Sequence, residues 1–73
     1  MNEKTANGIL NLLDYSDYEI IAVYESSFRA IRKNEYMLSE LNVDVTALDY
    51  NTINRDNVYE HTMICVHVLK RYN

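Results

Sequence analysis

The chain has 73 residues, a net charge of −4, seven tyrosines, one glycine, no proline and a single cysteine. That length makes one small domain, which buries only about 60% of the surface its unfolded form exposes, and one cysteine excludes an internal disulfide as a staple. The negative charge opposes nucleic acid and anionic membranes except where a local patch reverses the sign, and no apolar run approaches the ~20 residues that span a bilayer.

The opening stretch, MNEKTANGILNLLDYSDYE, has no basic region leading into an apolar one, so it does not read as a secretory signal. With a lone cysteine this points to a reducing, cytoplasmic setting. Within it, Ala6, Ile9, Leu10 and Leu13 recur at helical spacing and predict a short amphipathic helix over 3–13, weakened by Asn7 and Gly8. The turn formers of DYSD, 14–17, end it.

YEIIAVYE, 18–25, is rich in β-branched and aromatic residues and apolar on both faces, the pattern of a strand covered on both sides. Ser26 and Ser27 then offer capping hydroxyls. Phe28, Ile31, Leu38 and Leu41 follow as one helical stripe, which predicts a helix over 27–41 with Arg29, Arg32 and Lys33 outside the stripe. After Asn42 the period changes to two: Val43, Val45 and Ala47 alternate with Asp44, Thr46 and Leu48, predicting a half-exposed strand over 43–50. NTINRDN, 51–57, reads as a polar loop. From Val58 alternation resumes to residue 69, with Thr62, Ile64, Val66 and Val68 on one face and His61, Met63, Cys65 and His67 on the other.

These elements predict a single α+β domain over 1–73: a three-stranded sheet (18–25, 43–50, 58–69) covered by a crossover helix, with the N-terminal helix packed nearby. A winged helix-turn-helix is the alternative, with 27–41 as recognition helix and the last two strands as wing. In that alternative Arg29, Arg32 and Lys33 contact nucleic acid. The helix-to-helix turn there would hold Ser26-Ser27 and no glycine, residues 18–25 favour strand, and the net charge is unfavourable. The competing reading makes the three basic residues the solvated face of the crossover helix.

Few residues suggest chemistry. His61, Cys65 and His67 share a strand face, but residues 61 and 65 of one strand lie roughly 13 Å apart at ~3.3 Å per residue, too far for one zinc ion. A Cys65–His dyad lacks a glycine loop for an oxyanion hole, and no P-loop, GxGxxG or GxSxG occurs. No enzyme activity, cofactor or metal is therefore expected. DYSDYEIIAVYE gathers Asp14, Tyr15, Asp17, Tyr18, Glu19, Tyr24 and Glu25. Tyrosine buries interface area at low entropic cost, and acidic neighbours steer such a patch toward a basic surface.

The functional expectation is a non-enzymatic protein-binding module using those seven residues. Its asparagine- and tyrosine-rich composition suits a phage or mobile-element accessory protein that inhibits or redirects a host protein. A small open sheet further predicts a homodimer. A nucleotide-like ligand held in a dimer cleft by stacking tyrosines is a second alternative.

Overall fold

Asn2 starts the first helix, its side chain accepting the Thr5 backbone N–H at 2.8 Å. The computed structural model describes residues 1–72. Helix α1 (Glu3–Leu12) buries Ala6, Ile9 and Leu10, the stripe that its sequence period marks. Its C-terminus closes by a Schellman pattern, in which Asp14 N–H donates to Asn11 O at 3.2 Å and Tyr15 N–H to Leu10 O at 2.9 Å. Asp14 holds the left-handed position with φ 63°, where glycine is usual.

Four strands follow: β1 (Glu19–Val23), β2 (Ser27–Lys33), β3 (Met37–Asp44) and β4 (Met63–Arg71), with α2 (Arg55–His61) between the last two. They form one antiparallel sheet in the order β1-β2-β3-β4. The class is α+β, with four strands where three were expected.

The largest correction falls on 27–41. No helix forms there, so neither the crossover helix nor the winged helix-turn-helix exists; the segment is most of the β2–β3 hairpin. Phe28 and Leu41 belong to the helical stripe that Ile31 and Leu38 complete, but they also share a period of two with Ala30 and Val43, and strand pairing decides between the two patterns. Phe28 lies opposite Val43 and Ala30 opposite Leu41, all four buried. Asn34 makes the turn locally: its Oδ1 accepts the N–H groups of Tyr36 at 2.8 Å and Met37 at 2.9 Å. Leu38 pairs with Lys33 and is half-buried, so it does not join the buried core as the stripe implied.

The expected strand over 43–50 survives only as the end of β3. Asp44 accepts the Thr46 N–H at 2.8 Å, a side-chain turn that draws the backbone off the ladder. Val45 and Leu48 still reach the core from the following loop. The expected loop over 51–57 contains a 3-10 turn (Tyr50–Thr52) and the start of α2, whose cap is Asn54 accepting from Asn57 N–H at 3.0 Å. Residues 58–61 are thus helical, not strand, and Val58 is buried as the anchor of α2.

The core is Ala6, Ile9, Leu10, Leu13, Tyr18, Phe28, Ala30, Leu41, Val43, Val45, Leu48 and Val58. It lies between the helices and one sheet face. Ser39, also buried there, hydrogen-bonds the Tyr18 hydroxyl at 3.0 Å. Coverage is uneven across the sheet. Ile64 packs against the core, but Val66 and Val68, on the same face by register, are 50% and 43% exposed. The long β4 stretches the molecule to 43 × 21 × 17 Å, and its radius of gyration of 12.4 Å exceeds the ~11 Å of a compact chain this long. Among the described residues no helix is long and apolar enough to cross a membrane.

Candidate functional site

Strand alternation sends every second side chain of β2, β3 and β4 away from the helices, where no element covers them. Arg29, Ile31, Lys33, Leu38, Glu40, Asn42, Asp44, Met63, Cys65, His67 and Lys70 fall on this open face by register. Its centre is an ordered polar cluster. Arg29 Nε donates to Glu40 Oε1 at 3.0 Å and Arg29 Nη2 to Oε2 at 2.7 Å, a bidentate pair on a diagonal between adjacent strands. Asn42 Nδ2 donates to the same Oε1 at 3.0 Å.

These bonds set the charge states. The Arg29 guanidinium, then Asn42, hold the Glu40 carboxyl below its ordinary range, with a smaller contribution from His67 on the facing strand. Glu40 in turn, helped by Tyr24, raises the Arg29 pKa further, so the guanidinium stays charged. The Glu40 side chain is only 15% exposed and Arg29 39%, which leaves the guanidinium the more accessible partner. Beside the pair lies a shallow concavity of about 320 Å³ between Tyr24, Arg29, Asn42, Asp44, Met63 and Cys65. Its walls combine an aromatic ring and a thioether with fixed polar groups.

The seven residues expected to bind a partner are separated. Tyr18 is buried against Ser39, and Tyr15 packs edge-on against it with ring centroids 5.5 Å apart. Asp14 accepts from Arg55 at 2.8 Å and from the Tyr59 hydroxyl at 3.2 Å, tying the end of α1 to α2. Arg55 and Tyr59 hold its carboxyl below the ordinary range. Asp17 pairs with Arg32 at 2.9 Å. Glu19 and Tyr24 border the open face, and Glu25 is exposed in the turn after them.

The basic cluster is also divided. Arg29 is held by Glu40 on the open face, Arg32 by Asp17, and Lys33 is exposed at the end of β2. A helix would have brought all three to one side, but in the strand Arg29 and Lys33 share the open face while Arg32 falls on the other. Of the histidine–cysteine set, His61 ends α2, while Cys65 and His67 lie on the open face of β4. Among the described residues no group of three or more His, Cys, Asp or Glu could hold a metal ion.

Sequence reasoning missed Glu40, Asn42 and Met63 as members of a surface. The signal for Glu40 and Asn42 was present in the alternation Leu38, Glu40, Asn42, Asp44, which a helical reading of 27–41 obscures, and that for Met63 in its alternation with Ile64 along the last strand. Beside this face, β4 is exposed along nearly its whole length, with Met63 72% exposed. Comparison of the chain with protein-family models, curated proteins and solved structures gives no match.

Proposed function

We propose that the chain is a non-enzymatic protein-binding module whose working surface is the open sheet face. The observation that carries this reading is the uncovered cluster of Tyr24, Arg29, Glu40 and Asn42, held in one geometry by the bidentate pair and bordered by exposed Met63. A rigid arginine beside exposed tyrosine and methionine is the composition of an interface core, and Glu19, Glu25, Lys33 and Lys70 give it a charged rim of mixed sign. Such a rim orients a partner whose charges are arranged in the complementary pattern. The asparagine- and tyrosine-rich composition supports placing that partner in the host of a phage or mobile element.

Affinity capture from a bacterial lysate, comparing wild type with Tyr24→Ala and Met63→Asp, tests it. Both positions are exposed, so both variants should keep the wild-type circular dichroism and lose the captured protein. Capture unchanged by either substitution, or no captured protein at all, sinks the reading.

The concavity beside Tyr24 supports a second reading, a small planar ligand stacked on that ring, since its volume lies at the lower end of ligand sites. A melting temperature raised by a nucleotide and not raised in Tyr24→Ala would establish it.

A further inference from the structure

The two edges of the sheet differ in how well they are guarded. At β1 the ladder is irregular between Ile20 and Ala22, the strand has five residues, and α1 packs beside it. At β4 nine residues, MICVHVLKR, are paired to β3 on one side only and contain no acidic residue. Natural edges are blunted by short strands, bulges or charges; at β4 the only such devices are Lys70, Arg71 and an extra residue at Leu69, all at the C-terminal end.

We propose that β4 is the interface of a homodimer, in which two copies pair antiparallel, edge to edge about Val66, and join their sheets into one. This goes beyond the open-face reading and leaves that face accessible. Three features favour a second copy of this chain as the occupant. Antiparallel partners directly opposite each other share a sheet face, so only a register that sets even positions against even ones keeps core face beside core face. Centred on Val66, that register sets Val66 against Val66 of the second copy and Ile64 against its Val68. The half-exposed Val66 would then meet its own copy, and the half-exposed Val68 the Ile64 of the second copy.

The second feature is charge. Antiparallel pairing keeps the Lys70 and Arg71 of the two copies at opposite ends. It brings each pair toward the other copy's Thr62 and α2, where Glu60 is exposed. A strand basic at one end and preceded by an acid at the other complements itself only in this direction. The third feature is on the opposite face, where Cys65 is set against His67 of the second copy with no like-charged pair between them.

Sedimentation equilibrium reads the outcome. Wild type at ~100 µM should have twice the 8.6 kDa mass of one chain. Val66→Lys sets like charges directly opposite each other and should weaken the dimer at least tenfold while leaving the circular dichroism unchanged. An equimolar mixture of Val66→Lys and Val66→Glu should restore the double mass, which separates interface loss from misfolding. The register is tested by His67→Cys, which sets residue 67 against Cys65 of the second copy. Treated with diamide as oxidant, it should form a covalent dimer. Wild type should not, because its two Cys65 residues lie diagonally, about 7–8 Å apart. A single-chain mass for wild type overturns the proposal, as does a Val66→Lys dimer as tight as the parent.

Discussion

The β1 side and the β4 side of this sheet are built from similar apolar strands, yet one is sheltered and the other bare. Glu19–Val23 is short, irregular and flanked by α1, and the neighbouring Phe28 and Ala30 are wholly buried. Met63–Arg71 is nearly twice as long, and beyond Ile64 its core-facing valines stand half in solvent. Among the described residues two short helices roof only part of four strands, and the uncovered part falls on the last one. Burial is concentrated where α1, Val45, Leu48 and Val58 converge, and the last strand is left as surface. Stability should therefore reside in the sheltered half and association in the bare one.

The sharpest way to break that contrast is Phe28→Ala. It removes the largest fully buried side chain and should lower unfolding free energy by about 3–5 kcal/mol, enough to unfold so small a domain. Chemical denaturation measures it. A loss below 1 kcal/mol would mean that the core is not where the burial places it.

Acid should act first on the hydrogen-bonded carboxylates of Asp14, Glu40 and Asp44, which lie at the end of α1 and on β3, while β4 carries none. Arg55 depresses Asp14, Arg29 depresses Glu40, and the Thr46 side chain and backbone depress Asp44. Because folded values lie below the ordinary 4.5 for Glu and 3.8 for Asp, the stabilisation is complete above those pH values. It is lost as pH falls through the depressed ones. Melting temperature should be level from neutral pH to about 5 and then fall. Arg29→Met should shrink the Glu40 share of that fall; an unchanged acid limb would show that the pair does not set it.

A gain is expected at Gly8, in the middle of the roofing helix. A methyl group there meets nothing within 4 Å, so Gly8→Ala should add about 0.5–1 kcal/mol through helix propensity. Denaturation showing no gain would mean that α1 does not limit the sheltered half. The smallest effect belongs to the bare half. In a Val66→Lys background, where a single chain is expected, Val68→Thr should change stability by no more than about 0.5 kcal/mol. A larger loss would show β4 to be more sheltered than its exposure indicates.

Local residue pattern and tertiary pairing contributed differently along the chain. Ala6, Ile9, Leu10 and Leu13 fit only a helix period, and α1 was legible from them because a single capped helix needs no distant partner to define its buried face. A strand within 18–25 was legible too, although Ile21 at 46% exposure shows that it is not covered on both sides as expected. So was the common face of Ile64, Val66 and Val68, since alternation is a local property of extended chain. Asn54 as a cap and Asn34 as a turn former were visible as residue types, but several asparagines in this chain offer the same signals. Of the candidate surface, Glu19, Tyr24, Glu25 and Arg29 were named from the sequence; Glu40, Asn42 and Met63 were not, the first two because the helical reading of 27–41 hid their strand alternation.

By itself, then, the sequence determined the α+β class, the first helix and the alternation of the last strand, all of which follow from short-range periodicity. Tertiary structure alone decided that Ser27–Asp44 is a hairpin. Phe28, Ile31, Leu38 and Leu41 suit a helical stripe, and the choice turned on whether Phe28 and Ala30 could be matched by Val43 and Leu41 across a ladder. It also decided which tyrosines are core and which are surface. Tyr18 was drawn inward by Ser39, more than twenty residues away, while Tyr24 was left outside. Pairing of residues far apart in the chain carries no local signature, and β3 meets β4 on the open face through such pairs.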